Sequence, residues 1–340
     1  MTPIPRFLRH WSAVTLATVF VTATFACAAD DLREELKKVP YKILYETCHN
    51  GNWEIYQINA DGSNPVNLTK TPNSNEGYPQ VSRDGMKIAF TADEGDGEAK
   101  ARNVYMMNRD GTGRTLVAHH ARYPFWNAAG TGLYYAPDEQ EAFSIRDYAS
   151  KGLCLYDPAT QKATPHPNPE LHHLYNLCCT PDGKWIITTV HAGMNFKHAI
   201  LAVEVNGNHV FSLNIPGCRP DVSPDGKHVS WNASDFTIRV GDLDFSGPEP
   251  KIINQHDVVA SQKPVEVYQS DWSPDGRYIA YTSGTKTEKK LGAAPELIGV
   301  QAPGWNIFVA DASATNRCVQ VTTDGCSNKE PDWAPLPSRK

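Results

Sequence analysis

Positive charge is in short supply in this chain. Its 32 lysines and arginines face 38 aspartates and glutamates, a formal charge of −6, whereas a protein that binds nucleic acid through the phosphate backbone carries the opposite balance. No nucleic-acid partner is expected. CxxC pairs are missing, so neither redox work nor a zinc knuckle is indicated. There is no GxSxG elbow, no phosphate loop, no dinucleotide fingerprint and no calcium-loop spacing, and the glycines stand singly in turns rather than opening helices. Beyond the first 28 residues no stretch approaches the roughly 20 apolar residues that a membrane span needs. What is present, 40% hydrophobic, 10% aromatic and 21% charged residues over 340 positions, suffices for one or two sizeable cores and excludes disorder and collagen.

Residues 1–28 carry Arg6 and Arg9 with no acid, then a run from Trp11 to Phe25 that is apolar or small apart from threonines and Ser12, then Ala26-Cys27-Ala28. These are the parts of a secretory signal with cleavage expected after Ala28, which implies a periplasmic or secreted protein. So short and threonine-broken a stretch serves poorly as a membrane span, and Thr24-Phe25-Ala26 is a poor lipobox ahead of Cys27. The rest of the chain would hold 30 basic and 38 acidic residues, or −8, a balance that also disfavours anionic lipid. Eight cysteines become seven, an odd number that cannot all pair within one chain. Cys318 and Cys326 are close enough in sequence to bridge in an oxidising compartment. Adjacent Cys178 and Cys179 read as small buried hydrophobes.

One plan recurs along the chain. Trp53–Gly62 returns as Asn103–Gly111 and as Trp305–Asp311, each an alternating strand ended by a polar turn. A second element pairs a strand end with a Ser-Pro-Asp-Gly-type turn: Val81–Phe90, Cys179–Ile187, Val222–Trp231, Trp272–Tyr281 and a degenerate copy, Trp126–Tyr135. Proline presets the first turn angle, aspartate bonds its own backbone, and glycine takes the positive φ that lets two strands reverse. The turn glycines at 85, 130, 183, 226 and 276 are 45, 53, 43 and 50 residues apart, a period suited to four-stranded propeller blades. A sixth copy, Glu330–Pro335, stops where its outer strands should begin, while an unassigned strand, Tyr41–Thr47, lies at the amino end. Joining the two makes a closed all-β ring of six four-stranded antiparallel blades with no open sheet edge. The expected division is signal peptide 1–28, short helix and linker 29–40, propeller 41–336 and tail 337–340. Asp30–Lys38 reads as the helix, acids first and lysines last as its dipole prefers. Asp138–Gly152 and Gly284–Gly304 exceed the blade plan and are expected as excursions on one rim.

The repeat resembles the WD40-like (PD40), TolB-type propeller family, with the Ser-Pro-Asp-Gly-Lys/Arg turn kept at 223–227 and 273–277 and weakened to Ser82-Arg83-Asp84-Gly85. The resemblance covers roughly residues 41–335 and implies the fold. It leaves function open between periplasmic binding or scaffold proteins, companion domains of prolyl peptidases, and polysaccharide lyases such as the oligogalacturonate lyases. TolB itself places a separate domain before the ring, for which the dozen residues 29–40 leave no room.

Counting back seven positions from each turn glycine aligns Tyr78, Tyr123, Asn176, Arg219 and Gln269, with Glu330 in the sixth blade. These are expected to form a polar ring at one channel mouth, with Tyr78, Asn176, Gln269 and Glu330 as ligand contacts. Three positions further back stand Asn75, His120, His173, Pro216, Glu266 and Ser327. His119-His120, His172-His173 and His191, with Glu266, offer a set that would hold a divalent ion (Mn, Ca or Zn) if neighbouring blades converge; ordinary loop surface is the other reading. Arg219 beside Tyr78, Tyr123, Tyr175 and Tyr268 would suit a uronate glycan, the arginine fork taking the carboxylate and the tyrosines stacking on sugars. In a lyase, Arg219 or the metal would neutralise the carboxylate while His173 or Tyr123 abstracted the C5 proton. Asp221, Asp271 and Asp332 recur in three blades and are read as structural carboxylates that bond backbone amides, as are Asp84, Asp182, Asp225 and Asp275. Two functions follow. The first is an exported module that binds protein or glycan without turnover; the second is a β-eliminating polysaccharide lyase.

Overall fold

The computed structural model describes residues 31–285 and 294–337; the expected export signal at 1–28 lies outside them. Six sheets of four antiparallel strands radiate from a central channel. Their innermost strands are Asn75–Val81, Ala121–Trp126, Leu174–Cys179, Cys218–Val222, Val265–Trp272 and Ser327–Ala334, and the blades are numbered 1 to 6 in that order. The expected six-bladed propeller is thus the fold, and the five turn glycines connect first to second strands. In the turn at Ser273, the Oγ atom donates to Asp275 Oδ1 (2.7 Å) and accepts from Tyr278 N (2.9 Å), while Asp275 Oδ1 also accepts Arg277 N (3.2 Å). Ser82, Thr180 and Ser223 each donate likewise to Asp84, Asp182 and Asp225.

The last blade closes differently in detail from the expectation of one amino-terminal strand. Three strands come from the amino end, Lys42–His49, Asn52–Asn59 and Val66–Asn67, and only the innermost, Ser327–Ala334, comes from the carboxyl end. Lys42 pairs with Ala334 and Cys48 with Ser327 across the seam.

Packing follows from alternation along the strands. Apolar cores fill the spaces between neighbouring blades: Leu44, Ile55, Ile88 and Phe90 join blades 6 and 1, and Ile187, Ile200, Val229 and Trp231 join blades 3 and 4. A short helix at 31–36 inserts Leu32 and Leu36, both fully buried, into the core shared by blades 5 and 6. Arg33 pins it by donating to Asp61 O (2.7 Å) and Gln320 O (2.6 Å). The seven described cysteines are all free thiols, so the Cys318–Cys326 bridge that their spacing permits is not formed. Cys318 packs with Tyr281 in the core between blades 4 and 5, whereas Cys326 turns toward His49.

Candidate functional site

The six aligned residues share one backbone state. Tyr78, Tyr123, Asn176, Arg219, Gln269 and Glu330 all have positive φ, between 47° and 59°. Each sits at a bulge where the innermost strand carries one residue more than its neighbour, as between Gly77 and Gln80 or Cys218 and Asp221. The left-handed state costs a non-glycine residue about 1–2 kcal/mol, and side chains on adjoining blades support it. Tyr78 N donates to Glu46 Oε2 (3.2 Å), Arg219 N to Thr189 Oγ1 (2.8 Å) and Gln269 N to Asn232 Oδ1 (3.1 Å). All but Tyr123 line a channel interior of about 40 Å³.

This ring lies beneath a cap rather than at an open mouth. Arg219 is 3% exposed; it donates to Glu330 Oε1 (3.3 Å) and Glu296 O (3.1 Å) and is ion-paired with Asp147. Gln269 Nε2 reaches Glu330 Oε1 (2.7 Å) and Glu296 O (2.8 Å). Asp147 belongs to the first of the two expected excursions and Glu296 to the described part of the second, from residue 294 on, so residues of both lie over the same end of the channel. Three further buried cations fasten them. Arg122 holds Asp138 Oδ1 (2.6 Å), Arg146 O (2.5 Å) and Ser144 O (3.1 Å), Arg102 reaches Ile298 O (3.3 Å), and Lys329 takes Pro295 O (3.2 Å) and Leu297 O (2.5 Å). Burial pushes the Glu330 carboxyl up to about 8 against the lowering influence of Arg219. Burial likewise holds the Tyr123 phenol well above its ordinary range, helped by the charge on Asp147. A phenol so held keeps its proton at neutral pH.

The residues expected to hold a metal are not brought together. His173 directs Nδ1 at Ala192 O (2.9 Å) and Nε2 at Glu139 Oε1 (3.2 Å), His191 faces His198 (3.2 Å between Nδ1 atoms), and His120 is exposed. Glu266 is buried in the innermost strand of blade 5, two blades from His173. The register that aligns His120, His173 and Glu266 in sequence sets them on three different blades and does not carry them to one point. Tyr148 instead gathers the histidines, its ring 4.5 Å from His191 and 5.8 Å from His173 between centroids. Among the described residues, the one set of three or more His, Cys, Asp or Glu with donor atoms within 4.8 Å of one another is His49, Asp324 and Cys326. Spacing could not reveal it, because His49 and Cys326 are 277 residues apart.

The opposite mouth, at the hairpin turns, opens into a cavity of about 750 Å³. Tyr41, Phe125, Trp126, Trp272 and Trp333 line it together with exposed Arg83. Its floor holds Asp221, Asp271 and Asp332, two residues past the left-handed positions. Each carboxylate accepts an amide of a following blade: Trp272 N to Asp221 (2.9 Å), Trp333 N to Asp271 (2.7 Å) and Val81 N to Asp332 (2.7 Å). Burial, above all, raises all three: Asp221 stands at about 6, and Asp271 and Asp332 lie well above the ordinary range.

Fold and channel together define a class, the closed propellers of six four-stranded blades. No family model matches the chain, and no curated protein matches it. Among solved structures it is similar to TolB from Acinetobacter baumannii, with a TM-score of 0.62 and 15% identity over 94% of this chain and 73% of that one. It is also similar to a chain of hydrazine synthase from Kuenenia stuttgartiensis (TM-score 0.60, 11% identity, 92% of this chain and 49% of that one) and to a chain of a nidogen/laminin complex (TM-score 0.58, 9% identity, 87% and 98%). At these identities the likeness is one of fold, and the fold is TolB-like. Among the described residues no helix is long and apolar enough to cross a membrane.

Proposed function

We propose that the chain is an exported binding module whose ligand, an extended segment of a partner protein or a glycan chain, seats in the open mouth of the channel. One observation carries this reading: two loops anchored by buried cations close one mouth, whereas the other offers about 750 Å³ between aromatic rings and a carboxylate floor. Tryptophan and arginine at a recessed surface supply most of the binding energy in such contacts. The export signal read at residues 1–28 supports a module that works outside the cytoplasm. A lyase reading through Arg219 has less support. The guanidinium already serves Asp147 and Glu330, Tyr123 keeps its proton, and both ring nitrogens of His173 are turned to Ala192 and Glu139.

Peptide and glycan arrays followed by calorimetric titration of the hits test the proposal. Trp126→Ala and Arg83→Glu are expected to weaken binding about tenfold or more, while Glu139→Ala, at the capped end, leaves it unchanged. A ligand indifferent to both mouth variants overturns the assignment. Release of unsaturated uronate from polygalacturonate, lost in Arg219→Lys, would establish the lyase instead.

A further inference from the structure

The ring closes where the strand Lys42–His49 meets Ser327–Ala334, and the seam ends in a group of unlike donors. His49 Nδ1 lies 3.2 Å from Cys326 Sγ, and His49 Nε2 lies 3.4 Å from Thr47 Oγ1 and 3.8 Å from Asp324 Oδ2. Zinc bonds of about 2.0–2.1 Å to nitrogen and 2.3 Å to sulfur, at tetrahedral angles, separate the two donors by about 3.5 Å. The observed pair therefore needs to open by only a few tenths of an ångström. The surroundings fix each donor. Asp324 Oδ1 accepts Cys326 N (3.1 Å) and Asn328 Nδ2 (2.7 Å), which orients the carboxylate. In the tautomer with the proton on Nε2, that N–H faces Thr47 Oγ1 and the Nδ1 lone pair faces sulfur, an outer-sphere hydrogen bond of the kind that orients metal-ligating histidine. The Tyr56 ring covers the imidazole at 5.3 Å between centroids.

We propose that His49, Asp324 and Cys326 bind a borderline-soft divalent cation, zinc by preference, with a fourth position open, so that the metal ties the first strand of the ring to the last. A thiolate, an imidazole and a carboxylate form a mixed donor set suited to zinc. Binding releases the Cys326 thiol proton to solvent. The site is separate from the channel and stands whether or not the channel mouth binds a partner.

The test uses the purified chain with zinc alone, and then cobalt alone, in a non-chelating buffer. One bound equivalent is expected, with a thiolate-to-cobalt charge-transfer band and the visible bands of four-coordinate cobalt. Both disappear in Cys326→Ser and His49→Ala and persist in Cys318→Ser, and Thr47→Val weakens affinity about tenfold. If the ligand variants do not fold, the wild-type protein decides: zinc must slow alkylation of Cys326, located by peptide mapping, by about tenfold or more. Zinc binding that survives Cys326→Ser, alkylation indifferent to zinc, or a Cys48–Cys326 disulfide found by mass would overturn the proposal.

Discussion

Arg219 and Glu330 occupy the same register two blades apart, both in the left-handed region, and meet at 3.3 Å inside the channel with Asp147 on the other arm of the guanidinium. One cation thus holds two carboxyl groups that the cap and the ring bring to the same place. Removing it leaves both buried without the donor that satisfies them. Arg219→Met is expected to cost about 3–5 kcal/mol, measured by urea unfolding, and to expose the cap at 138–152 to proteolysis. Adding Asp147→Asn and Glu330→Gln should restore part of the loss; a single variant as stable as wild type would show that the pair does not hold the cap.

The carboxylate floor of the open mouth sets a pH dependence. In the unfolded chain these groups lose their protons near pH 4, whereas in the fold Asp221 holds its proton to about 6 and burial holds Asp271 and Asp332 well above their ordinary range. Between the two values the folded state binds more protons, so stability falls as pH rises through that window. Asp271→Asn keeps an oxygen for Trp333 N and removes one charge. It is therefore expected to raise Tm at pH 8, to change it little at pH 4 and to flatten the profile between. Equal destabilisation at both pH values would refute a floor whose carboxyl groups hold their protons above the ordinary range.

Two turn glycines separate conformational strain from collision. Gly85 and Gly276 both have φ of 70°, but a Cβ at Gly276 meets nothing within 4 Å, whereas one at Gly85 falls 2.6 Å from Pro335 O. Gly276→Ala should lose about 1–2 kcal/mol. Gly85→Ala should lose more, because the added methyl presses on the end of the closing strand, and chemical unfolding of the two variants gives the comparison.

The blade count and the ring of Tyr78, Tyr123, Asn176, Arg219, Gln269 and Glu330 were legible in sequence because proline, aspartate and glycine mark each turn locally and the distance from turn to channel is constant. The left-handed backbone of those six was not, since none is glycine and the bulge depends on partners such as Glu46 and Thr189 in other blades. His120, His173 and Glu266 align by the same count, but equivalent positions on blades 2, 3 and 5 point to different places around the ring, and His191 stands in a second strand outside that alignment. His49 and Cys326 show the reverse case. No spacing connects them, yet once the last strand is paired with the first, Cys48 opposite Ser327 brings them together.

The seam also orders events during synthesis. Blade 6 has its three outer strands from residues 42–67 but no inner strand until 327–334 is made, so the core shared by blades 5 and 6, with Leu32, Leu36 and Trp333 in it, stays incomplete while the intervening blades emerge. The amino-terminal strands keep an unpaired edge throughout that interval, an exposure that favours aggregation. Under the proposed export, with the chain crossing a membrane unfolded, the same delay is useful: the ring cannot lock until its last strand has arrived on the far side.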